Sequence, residues 1–142
     1  MVKFLARLRT FHRRIDGAVL VEFAFVGPIL VVMLLGIVAY GGYFWVSHAV
    51  QQLANDAARA AVGGLDSSER TALAQSSLTG SMGNYAFLEP QAAQVTVTGD
   101  TTNLKIAVAY DASNSPFFAI KGLVPLPSST ITRQASIRLG GY

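Results

Sequence analysis

Gly17, Ala18 and Glu22 are the residues whose types and spacing suggest chemistry. Glu22 is a carboxylate at the mouth of a long apolar run, five residues after Gly17. A charge at the centre of a membrane helix costs about 2.5–3.5 kcal/mol on insertion scales, so such residues usually carry a function. A cut between Gly17 and Ala18 would give Ala18 a free ammonium one helical turn from Glu22, and groups at i and i+4 meet on a helix. The chemistry would then be an ion pair created by proteolysis, with this chain as the substrate. Gly17 suits such a junction, because a residue without a side chain enters a protease cleft without a clash. The bland alternative is an acid that snorkels to the headgroups from the helix start.

The remaining residues offer little to catalysis. The two histidines are His12, in a basic stretch, and His48, beside the apolar run. There is no Ser-His-Asp order, no metal spacing of His, Asp and Glu, and no phosphate-binding loop. Cysteine is absent, which excludes disulfides and thiolate metal sites. The expectation is a protein that is not an enzyme and uses no metal or other cofactor.

The elements that must position Glu22 follow from where the charges lie. From Phe23 to Val46, 24 positions carry no charge. At about 1.5 Å per residue they span roughly 36 Å, enough for a hydrocarbon core of about 30 Å. The run is too long for a secretory h-region, and no small-residue cleavage site follows it. Lys3, Arg7, Arg9, Arg13 and Arg14 supply five of the eleven basic residues before Gly17, and Asp16 one of the eight acids. The remaining chain is near neutral, so the basic balance does not indicate nucleic acid. It sets topology instead: positive flanks stay cytoplasmic, and the C-terminal part lies outside. Phe4, Leu8, Phe11 and Ile15 recur at helical spacing in this basic stretch, which could also rest on an anionic leaflet.

A long helix is expected from Ala18 to Val62, 45 residues and about 68 Å. Pro28 should loosen its turn by removing a hydrogen bond to Ala24. Tyr40, Tyr43, Phe44 and Trp45 would form an aromatic belt at the outer interface. Val46, Val50, Leu53, Ala57 and Ala61 continue the helical stripe. The small face of Ala54, Ala57, Ala58 and Ala61 permits close packing, either on this protein's own domain or on neighbouring chains. Gly63-Gly64 supplies the stop. Asp66-Ser67-Ser68-Glu69 reads as a capping box opening a short helix over about 67–78, with Leu73 and Leu78 inward and a loop from Gly80 to Pro90.

The period then changes to two. Val95 and Val97, then Leu104, Ile106, Val108 and Tyr110, then Ile131, Ala135, Ile137 and Leu139 alternate with polar or small residues. These are three antiparallel strands with one face on the helix, although Arg133 interrupts the last apolar row. A turn at Gly99–Thr102 joins the first two. The connection from Asp111 to Ser129 holds Phe117 and Phe118, which either cap the core or form a partner surface. The fold class is thus α+β and membrane-anchored. Its parts are a basic leader over 1–17, a membrane helix over 18–46, its continuation over 47–64 and a small domain over 65–142.

Arg13-Arg14-Ile15-Asp16-Gly17-Ala18-Val19-Leu20-Val21-Glu22-Phe23 resembles the processing site of type IV prepilins, and most closely the Flp/Tad subclass with its TadE- and TadF-like minor pilins. The resemblance implies cleavage after Gly17 by a membrane prepilin peptidase and a Glu at the fifth mature position, here Glu22. Family major pilins usually follow that Glu with Tyr; Phe23 keeps the ring without the hydroxyl. Those pilins are also very short, so the extra domain implies a minor pilin or pseudopilin. The implied partners are the peptidase, other pilin or pseudopilin subunits, the inner-membrane assembly platform and the lipid bilayer. The implied location is the bacterial inner membrane, with possible entry into the pilus. The rival expectation is an uncleaved, membrane-anchored binding module that uses Phe117 and Phe118.

Overall fold

The structure is a computed structural model that describes residues 15–100 and 102–140. Lys3, Arg7, Arg9, Arg13 and Arg14, with His12, lie outside the described residues. Helix α1 spans Ile15–Ala61 and helix α2 Ser67–Met82; the strands are β1 (Ala93–Gly99), β2 (Asn103–Asp111) and β3 (Thr130–Arg138). Contacts divide the chain into two compact units, one reaching Ile37 and the other beginning at Val38.

In the first unit, α1 presents Val19, Leu20, Phe23, Phe25, Ile29 and Met33 outward. Pro28 lies inside the helix without ending it. The helix is long and apolar enough to cross a membrane, and none of its most apolar window is buried. An apolar helix with no polar face requires lipid or other helices around it.

The second unit is a head built from the rest of α1, α2 and the sheet. The small face of α1 is spent within it: Ala54, Ala57, Ala58 and Ala61 are fully buried in the head's own core. Leu53, Leu78, Leu104, Ile106 and Ile131 fill the space around them, each burial stabilising by about 1.5–3 kcal/mol relative to exposure. The sheet order is β1-β2-β3 and both pairings are antiparallel. Strand β2 is central and buries Leu104, Ile106, Val108 and Tyr110 on one face. Arg133 keeps the register rather than shifting it. It pairs with Val108 in the inward row of edge strand β3, half-buried, and its Nη1 donates to Thr132 O at 3.1 Å. An inward charge on an edge strand also discourages pairing with a foreign strand.

The expected capping box forms in a shifted version. Asp66 Oδ1 accepts from Glu69 N at 2.8 Å, while Glu69 Oε2 accepts from Leu65 N at 2.8 Å, one residue before the cap. Helix α2 runs one turn beyond the expected 67–78, because Met82 is fully buried and holds the extra turn in the core. The segment expected as a loop from Gly80 therefore begins helical, and Pro90–Ala92 forms a 3-10 turn.

The head has two distinct ends along α1. At one, α1 turns into α2 through Gly63–Asp66. Arg70 Nε donates to Gly64 O at 3.0 Å, and a Cβ on Gly64 would lie 2.6 Å from Arg70 N, so only glycine closes this turn unstrained. The β1–β2 hairpin sits at the same end, where Ser67, Arg70 and Gly99 line one recess. At the other end, the 83–92 and 112–129 connections gather against Tyr40–Trp45. Tyr40 Oη donates to Pro125 O at 2.7 Å, and the Phe118 ring meets Tyr43 edge-on at 6.5 Å.

Candidate functional site

Helical geometry alone builds the site around Gly17. Residues 17–23 are all helical, and their side chains are exposed. Ala18 and Glu22, four residues apart, share one face of α1 at about one turn's rise. Among the described residues no side chain pairs with Glu22. The Phe23 ring folds back over Gly27, at 3.5 Å from the place a Cβ would occupy there. A phenylalanine needs no partner for a hydroxyl in this apolar setting, whereas a tyrosine would.

Among the described residues, nothing packs against Gly17 in a way that requires glycine. A Cβ there would meet nothing within 4 Å, and its backbone is helical. Glycine in a helix interior is less favourable than alanine by about 1 kcal/mol.

The second candidate surface changes character. Phe118 is only 8% exposed and belongs to the core. Phe117 is half-buried, with its ring over Gly42. Of the two expectations for this pair, the packing is that of a core cap: both rings close the core end. The largest apolar side chains left outward at this end include Phe44, Trp45, Phe87 and Leu123. A Gly41-Gly42 pair in an apolar helix is a signal for close approach, but the sequence does not name the ring that sits on Gly42. Nothing in the sequence singles out Phe87.

Two carboxylates of the head are held ionised by turns. Backbone N–H groups of Asn103 and then Thr102 lower the pKa of Asp100 at the β1–β2 turn. Backbone and side-chain hydrogen bonds from Ser113 lower that of Asp111. Both are fixtures of exposed turns.

The matching sequence segment starts at the proposed junction. Residues 17–59 match the family model for TadE-like proteins. The matched segment opens on Gly17, contains Glu22 and Phe23, and continues through the exposed apolar helix into the part of α1 buried in the head. The match covers 43 of the 142 residues and is a similarity to TadE-like proteins over that segment. No curated protein and no solved structure matches the chain.

Proposed function

We propose that this chain is a minor pilin or pseudopilin of a Flp/Tad pilus, cut between Gly17 and Ala18 by a prepilin peptidase. The observation that carries this is the TadE-like match beginning at Gly17 and running along a helix whose apolar surface the described residues leave open. Lys3, Arg7, Arg9, Arg13 and Arg14 hold the leader on the cytoplasmic side of the inner membrane, and the head lies on the other side. Cleavage converts Ala18 into an ammonium, which pairs with Glu22 of the same chain or of a neighbouring pilin subunit. In a low-dielectric bundle a mismatched register leaves that acid unpaired, so the pair sets the axial position of the subunit. Phe23 packs beside it. The assembly platform in the inner membrane receives the cut chain during pilus assembly or its initiation.

N-terminal sequencing and intact mass of the protein from cells test this. With active peptidase the chain should begin at Ala18; without it, Gly17 should remain attached. A chain that keeps Gly17 in peptidase-active cells would leave the uncleaved, membrane-anchored binding module as the function.

A further inference from the structure

The end of the head that meets α1 at Tyr40–Trp45 carries large apolar side chains that no described residue covers. Phe87 is 67% exposed and Leu123 65%, beside outward-facing Phe44 and Trp45. Phe87 also has φ +70°, the left-handed region that bulky residues rarely adopt. Buried Tyr110 fixes this conformation from the central strand: its Oη donates to Phe87 O at 3.4 Å and accepts from Glu89 N at 3.3 Å. The Phe87 ring then meets Trp45 edge-on, with centroids 6.4 Å apart. The fold therefore accepts backbone strain to hold a large apolar ring outward, next to the tryptophan.

The position of this end along α1 identifies its occupant. Counted from Phe23, a hydrocarbon core of about 30 Å takes about 20 residues and ends near Gly42. The head already packs on α1 there, since Ala39, Gly42 and Val46 are buried and Tyr40 is bonded to Pro125. Tyr40, Phe44 and Trp45 face outward at the level where aromatic side chains favour the membrane interface. Lys121, exposed two residues before Leu123, can reach lipid phosphates with its ammonium. Glu89 and Asp111 border the recess beside Phe87. Those carboxylates would resist entry into hydrocarbon and keep this end at headgroup depth.

We infer that this end of the head is a membrane-contact surface. Phe87 and Leu123 enter the headgroup layer of the leaflet where α1 leaves the bilayer, beside Phe44 and Trp45. The head rests on the membrane instead of standing off it. The inference rests on α1 crossing the bilayer and is independent of cleavage at Gly17.

The test uses the full chain in phosphatidylcholine vesicles containing phosphatidylglycerol. The sequence has no cysteine and a single tryptophan, so each probe is unique. Spin labels are placed through Met33→Cys, Phe87→Cys, Leu123→Cys and Ser68→Cys, and exposure to oxygen and to a water-soluble nickel chelate is compared. Labels at 87 and 123 should lose nickel accessibility relative to 68 while remaining shallower than 33. Trp45 of the unsubstituted chain should be quenched more by lipid brominated near the glycerol than at the chain terminus. Nickel accessibility at 87 and 123 equal to that at 68 overturns the inference, and a second protein would then be the occupant of this surface. A water-exposed label at 33 overturns both the crossing of α1 and the inference. Labels at 87 and 123 as deep as the one at 33 overturn it as well, and the Trp45 readout, which requires no substitution, separates that outcome from unfolding of a labelled variant.

Discussion

The ring of Phe117 lies on Gly42 of α1, so that a Cβ at position 42 would overlap its Cγ and Cδ1. Glycine inside a helix is about 1 kcal/mol less favourable than alanine, and here the loss is exchanged for a close aromatic seat. That seat ties the 112–129 connection to the helix, together with the Tyr40–Pro125 hydrogen bond and the Tyr43–Phe118 contact.

Gly42→Ala should therefore destabilise the head, in spite of its better helix propensity, by about 1–3 kcal/mol as an overpacking substitution. In a Phe117→Ala background the same change should become neutral or stabilising. Thermal unfolding of the four full-length chains in detergent checks both signs. A Gly42→Ala chain as stable as the parent would mean that the ring moves aside at little cost.

Ser47 is 4% exposed, and its Oγ has no hydrogen-bond partner among the described residues. An unsatisfied buried hydroxyl costs about 1–3 kcal/mol, and alanine is the better helix former. Ser47→Ala should raise the unfolding midpoint. A fall in the midpoint would reveal that the hydroxyl is bonded, through water or to the Tyr43 carbonyl.

Legibility in the sequence tracked how local each cause was. Alternation along Leu104–Tyr110 exposed β2, because a strand with one buried face must alternate. Asp66 and Glu69 marked the start of α2, because a cap is made within four residues. The end of α2 was hidden: Gly80 and Ser81 look like loop, and only the burial of Met82 keeps them helical. Phe117 and Phe118 left the choice between core cap and partner surface open because their seats, Gly42 and Tyr43, are far away in the chain. At the candidate site, the spacing of Gly17, Ala18 and Glu22 was readable because helix geometry is local. Whether an ammonium meets Glu22 depends on other chains or on a cut, and spacing does not determine it.

Asp66→Ala should cost about 0.5–2 kcal/mol, the usual loss of an N-cap. Glu69→Ala should cost less, because its bond to Leu65 N lies outside the helix proper. Urea unfolding of the full chain in detergent measures the difference. Equal losses would mean that the two bonds form and break as a unit.

Acid should weaken the head through Asp100 and Asp111. Their folded pKa values lie below the ordinary carboxylate value, so the stabilisation is fully present above the unfolded pKa, near 4. It is lost as pH falls through the lowered folded values, when the turns must release their ionised acceptors. A chain with Asp100→Asn and Asp111→Asn should lose less stability between neutral pH and pH 3 than the parent. Parallel pH profiles would place the acid sensitivity elsewhere.

On the proposed reading, substitutions at Glu22 should separate cleavage from assembly. Its side chain lies on the same face as Ala18 and is exposed, so Glu22→Ala leaves helix α1 intact and improves local propensity slightly. Cleavage after Gly17 should therefore proceed, while incorporation with other pilin subunits should fail for want of the carboxylate. Glu22→Gln should fail as well, since a neutral amide keeps the shape and loses the charge that meets the ammonium. Glu22→Asp should recover part of the assembly, because the charge returns on a shorter arm. The measurements are the N-terminus of the mature chain and co-isolation with pilin subunits from the same cells. Normal co-isolation of the Gln variant would remove the ion pair from the mechanism and leave Glu22 as an acid at the headgroups.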